Sequence, residues 1–477
     1  MFQIPPTGSF IAGTWCANGS TIAVRDPATG EAVATVTDAD LGHADAAVSA
    51  AHAALPSWSA TSPRDRSEIL RRAFELMRAE EDQLAALVTL ENGKILADAR
   101  SEIRYAAEFF RWFAEEAVRI SGEWRVGPDG DKRLIVSHEP VGVSLCITPW
   151  NFPAAMVTRK LAPALAAGTT VVVKPATETP LTSLAIAELM QRAGLPDGVV
   201  NVVVPSQVGE VVAAIMSDDR VRQLSFTGST AVGKHLIRQS ADQVIRCSME
   251  LGGNAPFIVL DDADIGRAVE GAMVAKMRNG GAACTAANRF YVGRRVADEF
   301  TSKLATRMGS LKLGRGSDPD TGLGPLVSDR ERDGVASIVD TALSSGATAL
   351  VGGEAVDLGG AFYPATVLTG IDTTDALLST EIFGPVAPIA IVDSAEEAVA
   401  CANSTPQGLA AYLYTGDLQQ GLRLAGQLEA GMVGLNRGLV SDPAAPFGGV
   451  KQSGIGREGG FEGIQEFLET KYIATDL

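Results

Sequence analysis

Gln223-Leu224-Ser225-Phe226-Thr227-Gly228-Ser229-Thr230-Ala231-Val232-Gly233-Lys234 reads as a strand, a glycine-bearing turn and the opening of a helix. The stretch from Gly228 to Lys234 nearly matches a P-loop. His235 stands where Ser or Thr would meet magnesium, which argues against a nucleotide hydrolase. A helix that opens straight after a strand presents backbone N–H groups to a phosphate. The same residues would equally serve as a tight strand–helix turn.

The neighbouring sequence repeats this alternation. Apolar, β-rich runs occur at 141–148, 169–174, 200–204 and 256–260, with helical segments between them. Thr179-Pro180 starts one such helix, with Leu181, Leu184, Ala185 and Leu189 on one face, and Gly194 and Pro196 end it. The alternation predicts a parallel, doubly wound sheet. Upstream, 38–118 reads as helical, with Ser62-Pro63 as a helix start, an apolar stripe through Ile69, Leu70, Phe74, Leu76 and Met77, and a break at Asn92-Gly93. Trp124 to Val126 and Arg133 to Ser137 flank Gly127-Pro128-Asp129-Gly130 and read as a hairpin whose edges favour pairing with another subunit. After Cys284 the alternation resumes, with a strand near 289–293, a helix near 296–309 and further units to about 435. The expected fold class is α/β: two doubly wound domains that meet near Leu251-Gly252-Gly253, plus a small β element.

Bulk properties narrow the function. A chain of 477 residues exceeds what one hydrophobic core serves. A net charge of -17 argues against nucleic acid and anionic membrane as partners. Cys16, Cys146, Cys247, Cys284 and Cys401 are odd in number and form no CxxC pair, and His43, His52, His138 and His235 are scattered. No metal site is expected, and a reducing compartment such as the cytoplasm is. No apolar run is long enough to span a membrane, and residues 1–10 lack the pattern of a secretory signal.

Cys284 follows Arg278-Asn279-Gly280-Gly281-Ala282-Ala283. A thiol in a loop of small residues can be approached by a substrate. Glu250, in Met249-Glu250-Leu251-Gly252-Gly253-Asn254, offers a base, and Asn151, in Pro149-Trp150-Asn151-Phe152-Pro153, offers an amide donor. Nucleophile, base and donor are the parts that acyl chemistry on sulfur needs. A second glycine pattern, Gly454-Ile455-Gly456-Arg457-Glu458-Gly459, matches a dinucleotide fingerprint in letters only. No convincing strand precedes it and only 18 residues follow, too few for a βαβ unit.

In order along the chain stand Pro149-Trp150-Asn151-Phe152-Pro153, Lys174-Pro175-Ala176, Phe226-Thr227-Gly228-Ser229-Thr230, Glu250-Leu251-Gly252-Gly253, Cys284, Glu381-Ile382-Phe383-Gly384-Pro385 and Pro446-Phe447-Gly448-Gly449, with 34 positions between Glu250 and Cys284. On these motifs the chain resembles the aldehyde dehydrogenase superfamily along nearly its whole length. The resemblance implies a coenzyme-binding domain (1–120 and 140–250), a catalytic domain (251–450) and an oligomerisation element (121–139 and 451–477), in a homodimer or homotetramer. It implies that Cys284 attacks the aldehyde as thiolate, that Asn151 and the Cys284 N–H stabilise the oxyanion, that hydride leaves to nicotinamide, and that Glu250 activates water to hydrolyse the thioester. Ala282 departs from the family's common Gln, and altered pocket shape rather than lost activity is expected.

The resemblance also marks the coenzyme residues Trp150, Lys174, Gly228, Ser229, Gly233, Glu381 and Phe383. Many NAD-preferring members carry Glu three positions after the lysine, where it repels a 2′-phosphate. Thr177 stands there in this chain, with Glu178 beside it, so NADP is expected to be preferred and NAD tolerated. Arg159, Arg278 and Ser441 match the carboxylate-binding positions of succinate-semialdehyde dehydrogenases, and two guanidiniums with a hydroxyl suit a carboxylate. The expected substrate is therefore a small carboxylated aldehyde, succinate semialdehyde first. Glutarate semialdehyde, 2-oxoglutarate semialdehyde, a general aldehyde and a catalytically silent homologue are the alternatives. Ala286 replaces the subfamily's frequent second cysteine, which removes a disulfide switch at that position.

Overall fold

In the computed structural model, which describes residues 4–476, the strand Val221–Thr227 lies inside an eight-stranded sheet. Across that sheet the order is Thr14–Cys16, Ser9–Ile11, Val200–Val202, Thr170–Lys174, Val143–Ile147, Val221–Thr227, Arg246–Glu250 and Gly454–Ile455. The inner five strands are parallel, and the flanking ones antiparallel. Chain order reverses between Val143–Ile147 and Val221–Thr227. At such a reversal the connections leave to opposite faces and open a crevice beyond the carboxyl ends of the strands. Trp150 and Asn151 follow one of those ends, and Gly228 and Ser229 follow the other.

Both faces of this sheet are covered. Val171 and Val173 pack into one core with Leu161 and Leu165, while Val172 packs into another with Val48 and Ile215. Alternate side chains on one strand therefore serve opposite cores, and the strand reads as an unbroken apolar run. The helix Pro153–Ala167 is buried at all 15 positions, packed against Pro63–Ala79 and Leu96–Ala117. The helix starts and stops read from sequence recur: Ser62 caps the helix that Pro63 begins, and Gly93, at φ 88°, ends Glu81–Asn92.

A second sheet has the order Thr348–Val351, Thr366–Ile371, Val386–Val392, Ala287–Gly293, Ala255–Val259, Ala410–Tyr414, Met432–Leu435, all parallel except the first pair. Ala255–Val259, one of the runs grouped with the first sheet by alternation, is central here. An apolar run buried on both faces carries no mark of which sheet will take it. Arg246–Glu250 has no apolar run to announce it. Its polar side chains instead bond the C-terminal segment: Ser248 Oγ donates to Glu466 Oε2 at 2.6 Å and an Arg246 guanidinium nitrogen to the Leu468 carbonyl at 2.5 Å.

Glu123–Val126 and Arg133–Pro140 form an antiparallel hairpin, and Leu468–Thr475 pairs with its second strand over eight residues. The segment 451–477 divides: Gly454–Ile455 borders Met249 and Glu250 on the first sheet, and only Leu468–Thr475 joins the hairpin. The glycine pattern at 454–459 is thus an edge strand and loop. Residues 1–3 and 477, which fall in the spans expected from sequence, lie outside the described residues. Among the described residues no helix is long and apolar enough to cross a membrane.

Candidate active site

The small residues before Cys284 are there because backbones cross. A side chain on Gly281 would place its Cβ 2.1 Å from the Gly384 carbonyl oxygen, and one on Gly253 would meet the Cys284 carbonyl oxygen at 2.1 Å. The chain arrives on the helix Ile265–Met277 and turns through Asn279 (φ 53°) and Gly280 (φ 58°) in the left-handed region. Asn is among the residues that tolerate that conformation. Asp98 accepts the Asn279 N–H at 2.8 Å, and Asn279 Nδ2 donates to the Asn151 carbonyl at 2.7 Å and the Ala282 carbonyl at 2.9 Å.

Asn151 is held from several directions. Its Nδ2 donates to the Ala282 carbonyl at 3.2 Å, and its own carbonyl also accepts from Lys94 Nζ at 2.7 Å. Lys94 is buried and pairs with Glu102 at 2.5 Å. The other Glu102 oxygen accepts the N–H groups of Ala154 and Ala155, capping the helix that begins at Pro153. At position 282 it is the main-chain carbonyl that anchors Asn151, so Ala in place of Gln leaves this anchor intact.

Glu250 ends its strand with both carboxyl oxygens buried and without a hydrogen-bond partner. A side chain on Gly448 would come within 2.9 Å of its Oε1. Burial and the charge of Glu458 push its pKa well above the usual carboxylate range. For Glu458, burial works the same way but is outweighed by Arg159 and Lys160, which hold it below that range. Lys160 Nζ contacts Glu458 at 2.6 Å and Ser225 Oγ at 3.0 Å. The site thus holds one carboxylate kept charged by two cations beside a second whose affinity for a proton is raised. Cys284 is pushed up to about 12 by burial, with Glu250 and Glu381 adding to the rise and Arg159 and Arg278 opposing it. The thiolate is the nucleophilic form, so the resting thiol needs help to ionise.

Among the residues expected from sequence to hold the coenzyme, the Trp150 and Phe383 rings meet edge to face at 5.3 Å. Glu381 accepts the Gly253 N–H at 3.1 Å, and burial raises its pKa to about 7. Gly252 has no room for a side chain, whose Cβ would stand 2.6 Å from Glu381 Oε2. Ser229 caps the helix Thr230–Ser240 through the Val232 N–H, and Gly233 lets that helix settle on Leu251, which a Cβ would meet at 2.3 Å. Lys174 is buried, and its pKa falls to about 8 by desolvation. Thr177, half-buried, donates to the exposed Glu178 at 3.3 Å.

Of the substrate-binding residues expected from sequence, Arg159 is fully buried, paired through Nε to Glu458 and seated 3.9 Å from the centre of the Phe447 ring. Arg278 is half-buried over Phe152 at 5.0 Å and forms no ion pair among the described residues. Both act electrostatically on Cys284. Ser441 is half-buried in a loop, and Val440 beside it packs on the core that also takes Cys284. Sequence reading missed Lys94, Glu102, Lys160, Asn279 and Glu458. Glu458 lies within the discounted glycine pattern, and the others carried no local signal, because their partners are distant in sequence.

A sequence profile of the aldehyde dehydrogenase family matches residues 15–473. The chain belongs to the aldehyde dehydrogenase family. It is 54% identical over 441 residues, 92% of this chain and 98% of its relative, to the succinate-semialdehyde dehydrogenase of Paenarthrobacter nicotinovorans. Against the glutarate-semialdehyde dehydrogenase of Pseudomonas putida it is 48% identical, with 98% of each chain covered. A crystal structure of an E. coli NADP-dependent enzyme superposes with a TM-score of 0.97 at 47% identity, covering 99% of each chain. Membership in the family matches the fold class and the resemblance read from sequence.

Proposed function

We propose that this aldehyde dehydrogenase oxidises succinate semialdehyde to succinate with NAD(P), NADP being the better coenzyme. The observation that carries the substrate reading is that Cys284 lies in the field of two guanidiniums, Arg159 and Arg278. A buried arginine with a free nitrogen and a second arginine without an ion pair suit a carboxylate. Ser441 is the third member of the clamp. The glutarate-semialdehyde relative keeps the next longer substrate as a second reading.

The chemistry follows from the residues. Cys284, ionised with its proton lost to solvent and its anion favoured by Arg159 and Arg278, attacks the aldehyde carbon as thiolate. The new oxyanion is met by the second N–H of the Asn151 amide, oriented by the Ala282 carbonyl, and by the Cys284 main-chain N–H. The bound coenzyme supplies the hydride acceptor. Glu250, free of partners and made basic by burial and by Glu458, takes a proton from the water that cleaves the thioester. The helix start at Ser229, at the sheet's reversal, suits a pyrophosphate. Lys174 suits the adenosine ribose or its phosphate, with Thr177 presenting no charge to a 2′-phosphate. Glu381, Phe383 and Trp150 suit the nicotinamide end. Residues 1–120 and 140–250 form the coenzyme domain and 251–450 the catalytic domain in this reading. The hairpin of 121–139 with the C-terminal strand serves assembly into a dimer or tetramer. Five unpaired cysteines suit the reducing cytoplasm.

The test is kcat/KM for succinate semialdehyde, glutarate semialdehyde and butanal, each with NADP and NAD. Succinate semialdehyde with NADP should lead, and Arg278→Ala should raise KM for the two carboxylated aldehydes only. An equal rise with butanal overturns the clamp, and a strong NAD preference overturns the coenzyme choice.

A further inference from the structure

Several of the buried polar atoms left without a hydrogen-bond partner belong to residues around Cys284. They include Asn151 Oδ1, both oxygens of Glu250, Nη2 of Arg159 and the hydroxyl of Tyr105. Tyr105 lies on the helix Leu96–Ala117, and its ring meets Phe109, one turn on, edge to face at 5.0 Å. The Arg159 guanidinium stands 6.0 Å from the centre of that Phe109 ring. The groups that act electrostatically on the Tyr105 hydroxyl are Arg159, Arg278, Glu458 and Cys284. A phenol placed among two arginines and the nucleophile, with nothing to bond, is costly unless a ligand completes it.

We infer that the Tyr105 hydroxyl is a further specificity residue, donating a hydrogen bond to the carboxylate end of the aldehyde beside Arg159 and Arg278. This rests on the carboxylated-substrate reading above and extends it to a neutral donor. Burial keeps the phenol protonated, so it offers a hydrogen and no competing charge. The Arg159 guanidinium is ion-paired to Glu458 through Nε, while its Nη2 has no protein partner and is open to the ligand. A site built to bond a substrate oxygen rejects the analogue lacking it, because its own polar groups are then left unpaired.

Tyr105→Phe removes one oxygen and keeps the ring. The expected result has two opposite signs. KM for succinate semialdehyde rises roughly tenfold and succinate binds the enzyme more weakly, while KM for butanal is unchanged. The thermal midpoint of the unliganded enzyme holds or rises, because a buried hydroxyl without a partner is gone. A lowered midpoint with equal loss on both aldehydes overturns the inference in favour of a structural role. An unchanged KM for succinate semialdehyde, with wild type still preferring it over butanal, overturns it while leaving the substrate reading standing. A wild-type enzyme without that preference overturns the substrate reading and this inference together.

Discussion

The two sides of Cys284 treat their buried polar groups in opposite ways. On the Asn151 side the interactions interlock: Lys94 bonds Glu102 and the Asn151 carbonyl, Glu102 caps a helix, and Asn279 ties Asn151 to Ala282. On the Glu250 side a buried carboxyl has no partner at all. The first arrangement fixes position, because a bonded network in a low-dielectric interior admits one geometry. The second stores basicity, because an unsolvated carboxyl holds its proton tightly. The proposed chemistry needs both: a donor that does not move and a base that no cation has claimed.

The sharpest way to break the comparison is Glu250→Gln. Hydrolysis of the thioester should slow by about 10²–10⁴-fold, leaving one equivalent of reduced coenzyme per site in a rapid burst, while the thermal midpoint holds or rises. A fall in midpoint would mean that Glu250 also has a structural task. Lys94→Met should do the reverse. It strands Glu102 in the interior, and chemical denaturation should show a loss of about 3–5 kcal/mol, the scale for breaking a buried ion pair. Asn279→Gly keeps the left-handed backbone and deletes the amide. Steady-state kinetics should show kcat roughly tenfold lower with KM little changed, as for a loosened oxyanion donor. The smallest effect concerns the coenzyme. Lys174 carries its charge below about pH 8 and loses it above. Since the charged form attracts a 2′-phosphate, kcat/KM for NADP should fall about fourfold from pH 7 to pH 8.5, and that for NAD should fall less. A matching fall for NAD would detach Lys174 from the phosphate.

Legibility in the sequence followed the range of the interactions. The strands Thr170–Lys174 and Val143–Ile147 and the helix at Pro180 were readable because period, caps and proline are local signals. Arg246–Glu250 was not, because it is a strand by virtue of its neighbours on both sides. Cys284, Glu250 and Asn151 were readable as chemical types in motifs. Lys94 reaches Asn151 across 57 positions and Lys160 reaches Glu458 across 298, and no local pattern announces contacts of that span.

Local signals in the sequence were enough for the class of this protein, a doubly wound α/β member of the aldehyde dehydrogenase family, and for a cysteine, a carboxyl and an amide as its proposed chemical groups. Which buried groups are paired and which are left free emerges only when distant segments pack together. That difference separates Glu458, charged between Arg159 and Lys160, from Glu250, whose unpartnered carboxyl has a raised proton affinity. The two are the same residue type, and burial together with neighbouring charge, neither of them a local property of the chain, makes one an ion-paired anchor and fits the other to the proposed role of base.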